Sequence, residues 1–407
     1  MDTCKRLKRL RNLFLLAPLG LILGCSIASS NPCQLEKEQM REIEQARGLN
    51  FKAPVSCRYL EPEEIVQELR SELFKKNSPQ ELRNEELLYK LIGGIPIDYH
   101  YVEGLLSGYS ESIKGFYHIE DDYFALNESG LSESKRSAID HELVHALQDQ
   151  NFDLSDLLPK GIASDSLMAR QAVFEGDALR TLEALESEFN CRWHGKGISL
   201  VNAERVYLNQ DYKYFPPFLR LMAGFPYSHG VEFFCRLMET YPSFNFDLLF
   251  SQPPLSTAEI LHPELYQSRI KGDSSLSLDL PPYLAEEGWF YTAVLGEYAL
   301  FSLLAPDLGF RFAKEAAAGW AADRAWIYRK GEGYQLDFRS HWQTKKDAIQ
   351  FYQGWAKVLA GKAGQNKTVS IPDHKTTFQL NNLSVDLQIE GLEVRAVVLG
   401  TNLNGGN

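Results

Sequence analysis

The chain has 407 residues, a formal net charge of −12 and 44% hydrophobic residues. This length exceeds what one hydrophobic core usually supports, so we expect two or three subregions. The acidic balance disfavours polyanionic partners, so we expect no binding to nucleic acid, and an anionic lipid surface is a poor candidate ligand.

Residues 1–24 have the organisation of an export signal. A basic stretch precedes an apolar run, Leu13 to Leu23, which is too short to span a bilayer. The four residues that end at Cys25, Ile-Leu-Gly-Cys, match the bacterial lipobox, which predicts cleavage before Cys25 and lipid on its sulfur. We therefore predict a lipoprotein signal peptide over 1–24 and a protein held in the bacterial cell envelope by N-terminal lipid. An ordinary signal peptide cut later is the alternative.

Ser26, the residue after Cys25, resembles the residue found in lipoproteins sent to the outer membrane, where the source has two membranes. The signal segment itself carries a net charge of +4, so its removal would leave the chain more acidic. Lipid on Cys25 would attach the protein without a transmembrane helix.

Four further cysteines follow Cys25, and an oxidising compartment would favour two disulfides among them. Three pairings are allowed, and we favour the local ones, Cys33–Cys57 and Cys191–Cys235. None of these cysteines has C-x-x-C spacing, so a cysteine zinc site is not indicated.

Residues 25–94 form a predicted N-terminal helical region. Segments 34–47 and 61–92 place leucine and isoleucine at helical spacing among interleaved acidic and basic residues. The glycines and proline of 93–96 end this region. We find no chemistry-bearing motif in it and expect it to pack as an arm on the next domain.

Two β-prone runs follow, at Gly115–Ile119 and Tyr123–Leu126, and they predict a hairpin. His118 lies in the first run and is a candidate metal ligand by its residue type. A histidine in a hairpin is more often on the surface, so we expect His118 to be exposed.

The stretch Ile139–Gln148 contains the pattern H-E-x-x-H, with His141, Glu142 and His145. On a helix each residue turns by about 100°, so two residues four apart lie on one face, within about 40° of each other. Two imidazoles one turn apart can bind the same zinc ion. Glu142 adjoins His141, close enough to take a proton from a water on that metal.

The flanking residues place this motif inside a helix. Ser132 can cap the helix, Glu133 suits its first turn, and no proline or glycine follows until Pro159. Apolar residues recur at helical spacing between these limits. A solvated helix that carries two surface histidines is the alternative interpretation.

A catalytic zinc site usually takes three protein ligands, and Glu175 is the best candidate for the third. Residues 166–188 read as a second helix, in which Glu175 falls on an otherwise apolar stripe. A buried carboxylate needs a cation, a metal or a proton, so pairing with an arginine is the alternative. Gly176 costs a helix about 1 kcal/mol and would allow a neighbour to approach closely. Glu297 is the second candidate for this ligand.

Residues 199–330 read as mostly helical, with proline-rich breaks at 216–217 and 253–254. Loops often carry function, and a zinc peptidase needs a hydrogen-bond donor for the oxyanion that forms at the carbonyl. Tyr227, His229 and His262 lie near these breaks and are candidate oxyanion or substrate contacts, as is Arg324. Packing or turn roles are the more common alternative for each.

Residues 331–407 read as a small C-terminal α/β region. We predict a strand over Tyr334–Trp342 and a helix over Thr344–Leu359. Short strands are predicted at 377–380, 384–387 and 394–399.

H-E-x-x-H with a glutamate on a later helix resembles the gluzincin branch of the zincin metallopeptidases. A closer resemblance is to exported bacterial proteins regarded as metallopeptidases, which carry H-E-x-x-H-A-L-Q-D-Q followed by E-G-D-A. These motifs read here at 141–150 and 175–178. Further similar segments lie at 226–230, 253–257, 261–264, 319–320 and 323–324, so the resemblance covers roughly residues 95 to 355. Gluzincins often place an Asp four residues after the glutamate ligand to orient a histidine, but position 179 is Leu here.

The resemblance implies an α+β, predominantly helical chain. Residues 95–330 would form a zincin-like catalytic domain with a small β-sheet or hairpin, followed by the α/β region. In zincins an edge strand before the H-E-x-x-H helix lines the cleft and pairs with extended substrate. The implied function is zinc-dependent hydrolysis of peptide bonds in a peptide or protein substrate, with Zn²⁺ on His141, His145 and Glu175 and with Glu142 as general base. The alternatives are a non-catalytic envelope lipoprotein that uses the fold for binding or structure, and a zinc hydrolase of another amide.

Overall fold

A small sheet and its flanking helices make up the N-terminal part of the chain. The computed structural model describes residues 31–33, 35–127, 135–158, 164–186, 197–272, 287–364 and 374–403. Its first elements are β1 (Asn31–Pro32), α1 (Lys37–Arg47), β2 (Ser56–Leu60), α2 (Pro62–Lys76), α3 (Pro79–Ile92), α4 (Tyr101–Ser112), β3 (Gly115–His118) and β4 (Tyr123–Asn127). Both α2 and α3 start with a capping box and a proline in the first turn, a pattern that favours helix initiation.

The strand order of this sheet is β1-β2-β4-β3. Strand β2 runs parallel to β4, whereas β3 is antiparallel to β4 and lies at the edge. The predicted hairpin and helices of this part are confirmed, but β2 lies within the region that we expected to be helical. Cys33 and Cys57 form a disulfide with their Cα atoms 5.5 Å apart, which ties the segment before α1 to β2.

A helical layer follows the small sheet. It consists of α5 (Lys135–Phe152), α6 (Leu154–Leu157), α7 (Ser164–Glu186), α8 (Leu200–Leu208), a 3-10 turn (Gln210–Tyr212), α9 (Pro217–Thr240), α10 (Leu248–Ser251), α11 (Thr257–Leu261) and α12 (Pro263–Ile270). Helices α5 and α7 are the two helices predicted to carry the zinc ligands. Ser132, Glu133 and Pro159, which were used to bound the first of them, lie outside the described residues.

The C-terminal part contains a second, larger sheet. Its elements are β5 (Trp289–Ala293), α13 (Gly296–Leu308), α14 (Phe310–Ala317), β6 (Trp320–Lys330), β7 (Gly333–Trp342), α15 (Lys345–Lys362), β8 (Lys375–Leu380), β9 (Leu383–Glu390) and β10 (Glu393–Gly400). The six strands are antiparallel in the order β5-β6-β7-β10-β9-β8. Helix α15 packs on one face, where Phe351 stacks on Trp342 and Trp355 meets Phe338 edge to face.

The chain is therefore α+β, as predicted, and the strands and helix predicted after residue 331 are confirmed within a few residues. The prediction that residues 199–330 are mostly helical is wrong for β5 and β6. Alanine-rich β6 forms a strand because its backbone pairs with β5 on one side and β7 on the other, which overrides its local helix propensity. The boundary drawn at residue 330 falls at the turn between β6 and β7.

Several predicted features lie outside the described residues: the signal segment 1–24, Cys25, Ser26 and Cys191. Cys235 is buried on α9 and is disulfide-bonded, and Cys191 was its predicted partner. No helix in the described ranges combines the length and the apolar composition needed to cross a membrane.

A glycine contact brings α7 against α9. A Cβ atom on Gly176 would lie 2.5 Å from the carbonyl carbon of Gly230, and one on Gly230 would overlap the carbonyl oxygen of Ala172. The missing side chains let the two backbones touch, so Gly176 serves the packing of a neighbouring helix. Since Glu175 adjoins Gly176, this contact also fixes where α7 directs its carboxylate.

We expect Gly176→Ala to lower the free energy of unfolding by about 1–3 kcal/mol, because the new methyl group overpacks a backbone contact that cannot move locally. Gly361→Ala in α15 is the control, since a Cβ there meets no atom within 4 Å. It should be neutral or slightly stabilising. Denaturant unfolding of both variants measures the difference, and a Gly176→Ala protein as stable as the control would contradict the close crossing.

Candidate metal centre

Helix α5 presents His141 and His145 on one face, as the spacing predicted. Their Nε2 atoms lie 3.0 Å apart, and the two rings meet edge to face. The opposite face of α5 is anchored in a hydrophobic cluster with Phe124 and Leu126 of β4 and Ile43 of α1. The helix is therefore held by buried apolar contacts on one side while the imidazoles project from the other.

Glu175 of α7 completes a triangle with these imidazoles. Its Oε2 atom lies 3.2 Å from Nε2 of His141 and 3.4 Å from Nε2 of His145. Ligand atoms about 2.0–2.1 Å from a tetrahedral zinc ion are separated by about 3.3 Å, so the three atoms have the spacing of one face of such a site. Two neutral nitrogen donors and one carboxylate also match the chemistry of zinc.

The electrostatics of the triangle favour an ionised carboxylate. Burial works to raise the pKa of Glu175, but His145 and His141 outweigh it and bring the pKa down to about 2. Burial likewise opposes the charged form of His141, but its hydrogen bond with Glu175 and the negative charge of that residue raise the pKa of His141. The site therefore stabilises a positive charge at its centre, which is what a bound metal ion would supply.

Glu142 lies beside this triangle without belonging to it. Its side chain is 4% exposed, and Oε2 has no hydrogen-bond partner among the described residues. Burial raises the pKa of Glu142, while the neighbouring histidines partly oppose that rise. The stem of Glu142 packs against β3, because a Cβ on Gly115 would lie 3.2 Å from its Cγ atom. Glu142 therefore brings a buried carboxylate with one unpartnered oxygen next to the triangle.

Gln148 fixes the orientation of His145. Its Oε1 atom lies 2.9 Å from Nδ1 of His145, so that nitrogen carries the proton and Nε2 keeps its lone pair for a metal. Gln148 Nε2 in turn donates to the carbonyl of Phe174 and to Oδ2 of Asp177. The ring of Phe174 stacks on His145 with centroids 3.7 Å apart.

Asp177 anchors this arrangement from within the core. It is fully buried and accepts hydrogen bonds from Arg47 of α1 and Arg180, and Arg47 also donates to Asp247. Burial acts to raise the pKa of Asp177, but the two arginines lower it below its usual value. Gln148 and Asp177 thus take the histidine-orienting position that Leu179 cannot fill. The sequence analysis predicts no role for Gln148 or Asp177, although they lie inside the motifs at 141–150 and 175–178.

We expect Gln148→Met to weaken zinc affinity about 10–100-fold, the usual cost of losing the residue that orients a ligand. Methionine keeps the volume but cannot accept the proton of Nδ1. Gln150→Met is the control on the same helix, because the Gln150 side chain bonds only to backbone atoms of Lys52 and Ala53 in the described structure. Competitive titration with a zinc chelator gives both affinities. Equal affinities for the two variants would rule out this role for Gln148.

The similarity to a known protein family is found in the C-terminal part of the chain. Residues 288–401 match a family model described as Domain of unknown function (DUF8575). The match spans β5 to β10 with α13 to α15. It does not include His141, His145 or Glu175. No curated protein and no solved structure matches the chain. The function of the group formed by His141, His145 and Glu175 is therefore argued from its own geometry.

Among the candidate oxyanion donors, Tyr227 interacts electrostatically with Glu175 and Glu142. Its side chain is 39% exposed, yet limited solvation and the negative charges of Glu175 and Glu142 raise the pKa of its phenol well above the ordinary value. The phenol therefore stays protonated and can donate a hydrogen bond. Tyr109 of α4, which sequence reasoning missed, is 37% exposed, and limited solvation together with the negative charge of Glu175 raises the pKa of its phenol in the same way.

The other candidates have different partners. His229 is buried between Phe225 and Tyr298, and burial, with help from Arg236 and Lys314, lowers its pKa to about 3. Nε2 of His262 lies 3.0 Å from Oε2 of Glu297, so these two side chains are hydrogen-bond partners of each other. Within the described residues, none of these groups joins the cluster of His141, His145 and Glu175. Arg324 lies on β6 opposite Arg339 of β7.

The prediction that His118 is exposed is wrong. Its side chain is fully buried at the end of β3, stacked on Tyr123 and 3.3 Å from Oε1 of Glu72. Helix α2 covers this end of the hairpin, a long-range contact that the local β pattern does not encode. His118 belongs to a group with Glu72 and Asp121, separate from His141, His145 and Glu175.

Proposed function

We propose that the chain is a zinc-dependent peptidase with a zincin-like catalytic domain. His141, His145 and Glu175 would hold the zinc ion, and Glu142 would be the general base. The observation that carries this proposal is the triangle of ligand atoms at 3.0–3.4 Å, with an unpaired buried carboxylate beside it. A purely structural zinc site has no use for a base and usually closes its fourth position with a protein ligand.

A zinc ion bound by this triangle would supply Lewis acidity, which polarises a carbonyl group and lowers the pKa of a coordinated water to about 7. Glu142 accepts the proton of the attacking water and returns it to the leaving amine. Its position beside the triangle, on the residue next to His141, suits both steps. Tyr227, which stays protonated, donates to the oxyanion.

The edge strand β3 is the proposed binding element for substrate. It is the last strand of its sheet in the described structure, and Gly115 at its start lies against Glu142. An extended peptide that pairs with this edge would run past the general base, held by main-chain hydrogen bonds. The antiparallel β3–β4 hairpin directly before the H-E-x-x-H helix, with β3 at the edge of the sheet, also supports the zincin-like assignment.

The test is zinc-dependent cleavage of a broad peptide library by the full exported chain. Mass spectrometry should find cleaved peptides, no cleavage after chelation, and recovered cleavage after zinc is restored. If the chain binds zinc stoichiometrically but cleaves no peptide, the proposal that it is a peptidase is wrong. Hydrolysis of non-peptide amides by that chain would then favour another zinc hydrolase, and inactivity on both would favour the non-catalytic lipoprotein.

We also propose that the chain is lipid-anchored through Cys25 in the cell envelope, on the basis of the lipobox. We expect Cys25→Ser to block processing or to release the protein from the membrane fraction. Mass spectrometry of the mature N-terminus, together with membrane fractionation, measures this. A wild-type protein that starts at another residue and stays in the aqueous fraction would disprove the anchor.

A further inference from the structure

We propose a second metal site, formed by Glu72, His118 and Asp121, that takes a zinc-like transition-metal dication. One ligand atom from each residue lies within 4.8 Å of the others. Glu72 comes from α2, whereas His118 and Asp121 lie at the β3–β4 turn. The site uses no residue of the proposed catalytic centre, so it does not depend on the peptidase assignment.

His118 is the main support for this site. Its side chain is 0% exposed, and neither ring nitrogen makes a hydrogen bond of acceptable geometry in the described structure. The nearest carboxylate oxygens are Glu72 Oε1, 3.3 Å from Nδ1, and Glu68 Oε2, 3.9 Å from Nε2. Burying an unsatisfied polar group costs about 1–3 kcal/mol, and a metal bond would offset that cost.

Aromatic contacts hold the His118 ring in place. Tyr123 stacks on one face with centroids 4.2 Å apart, and Phe116 packs at 4.6 Å. The imidazole therefore points its nitrogens at α2 with little rotational freedom. A ligand that is fixed before the metal arrives loses little entropy on binding.

The charge around His118 is negative. Glu68 and Glu72 are four residues apart on the same face of α2, and Asp121 faces them from the turn. Lys75 donates to Glu72 at 2.8 Å and to Asp121 at 3.1 Å, so its ammonium lies where a cation is stabilised. The Lys75 side chain is partly exposed, and its flexible stem can swing into solvent when a dication binds.

The donor set selects the metal class. One imidazole with two carboxylates suits zinc and similar transition metals, whereas calcium takes oxygen ligands alone. A metal bound here would clamp α2 to the turn of the β3–β4 hairpin. Since the other end of β3 packs against Glu142, the clamp would also stiffen the strand that reaches the first centre.

The experiment is a zinc count on the full exported chain and its variants after dialysis against zinc. Wild type should hold two zinc ions per chain, Glu72→Gln and His118→Gln one each, and Glu72→Gln with His145→Ala none. Glu72 is partly exposed, so its variant should fold even if His118→Gln does not. Circular dichroism checks the fold of each. A wild type with one zinc, unchanged in Glu72→Gln, would overturn the second site without affecting the first.

The Lys75→Met variant tests whether a metal ion or the Lys75 ammonium is the cation that Glu72 and Asp121 bind. If a dication binds here, removing the competing ammonium should tighten the second zinc severalfold. If Lys75 is the resident cation instead, the variant should show no second zinc and a lower unfolding temperature. That second result would overturn the proposal.

Discussion

Glu142→Gln is expected to retain its zinc and its fold and to lose turnover by at least about a hundredfold, the lower end for loss of a general base. Glutamine keeps the shape of the side chain but cannot accept a proton. Glu142 makes none of the three contacts that form the metal triangle, so its replacement leaves the ligands intact. Zinc content measured beside the cleavage rate separates loss of the base from loss of the metal.

Glu297→Gln is the control for this variant. It also replaces a buried carboxylate, but Glu297 pairs with His262 and lies outside the cluster within the described residues. It should keep both zinc and turnover. If Glu142→Gln cleaves peptides as fast as wild type, Glu142 is not the base.

His145→Ala is expected to lose stoichiometric zinc at the catalytic centre and, with it, all measurable turnover. The change removes one of three ligands and also breaks the link to Gln148 and Asp177. The two remaining ligands, His141 and Glu175, lie on different helices. Glu175 would then be buried beside a single imidazole. Metal content and cleavage rate should therefore fall together in this variant, whereas in Glu142→Gln only the rate falls.

His262→Ala is the matched histidine control. His262 is partly buried and bonded to Glu297, and within the described residues it is not part of the metal triangle. It should keep the zinc of the catalytic centre. Retention of that zinc in His145→Ala, or its loss in His262→Ala, would mean that the ligands are wrongly assigned.

The convergence of the three proposed ligands could be predicted because their signals are local. The spacing of His141 and His145 sets their common face on any helix, and Glu175 is conspicuous as a carboxylate in an apolar stripe. Strand and helix periodicity likewise predicted the C-terminal elements from β7 onward. These features depend on residues that are close in sequence.

The surroundings of the ligands could not be predicted in this way. Arg47 reaches Asp177 across 130 residues of sequence, and His118 is buried because α2 folds over its hairpin. Residues 199–330 were predicted to be mostly helical, and β6 departs from that prediction because its backbone pairs with β5 and β7 although its alanines favour helix locally. For Arg47 and His118 the deciding partner is remote in sequence.

The most direct test of the central claim is a zinc-edge anomalous difference map from crystals of the zinc-loaded protein. We predict a peak bonded to Nε2 of His141, Nε2 of His145 and the carboxylate of Glu175, about 2.0–2.2 Å from each, with no fourth protein ligand and with Glu142 unbonded beside it. Zinc held at this point by a fourth side chain would indicate a structural site. The absence of a peak there at saturating zinc would contradict the proposed centre itself.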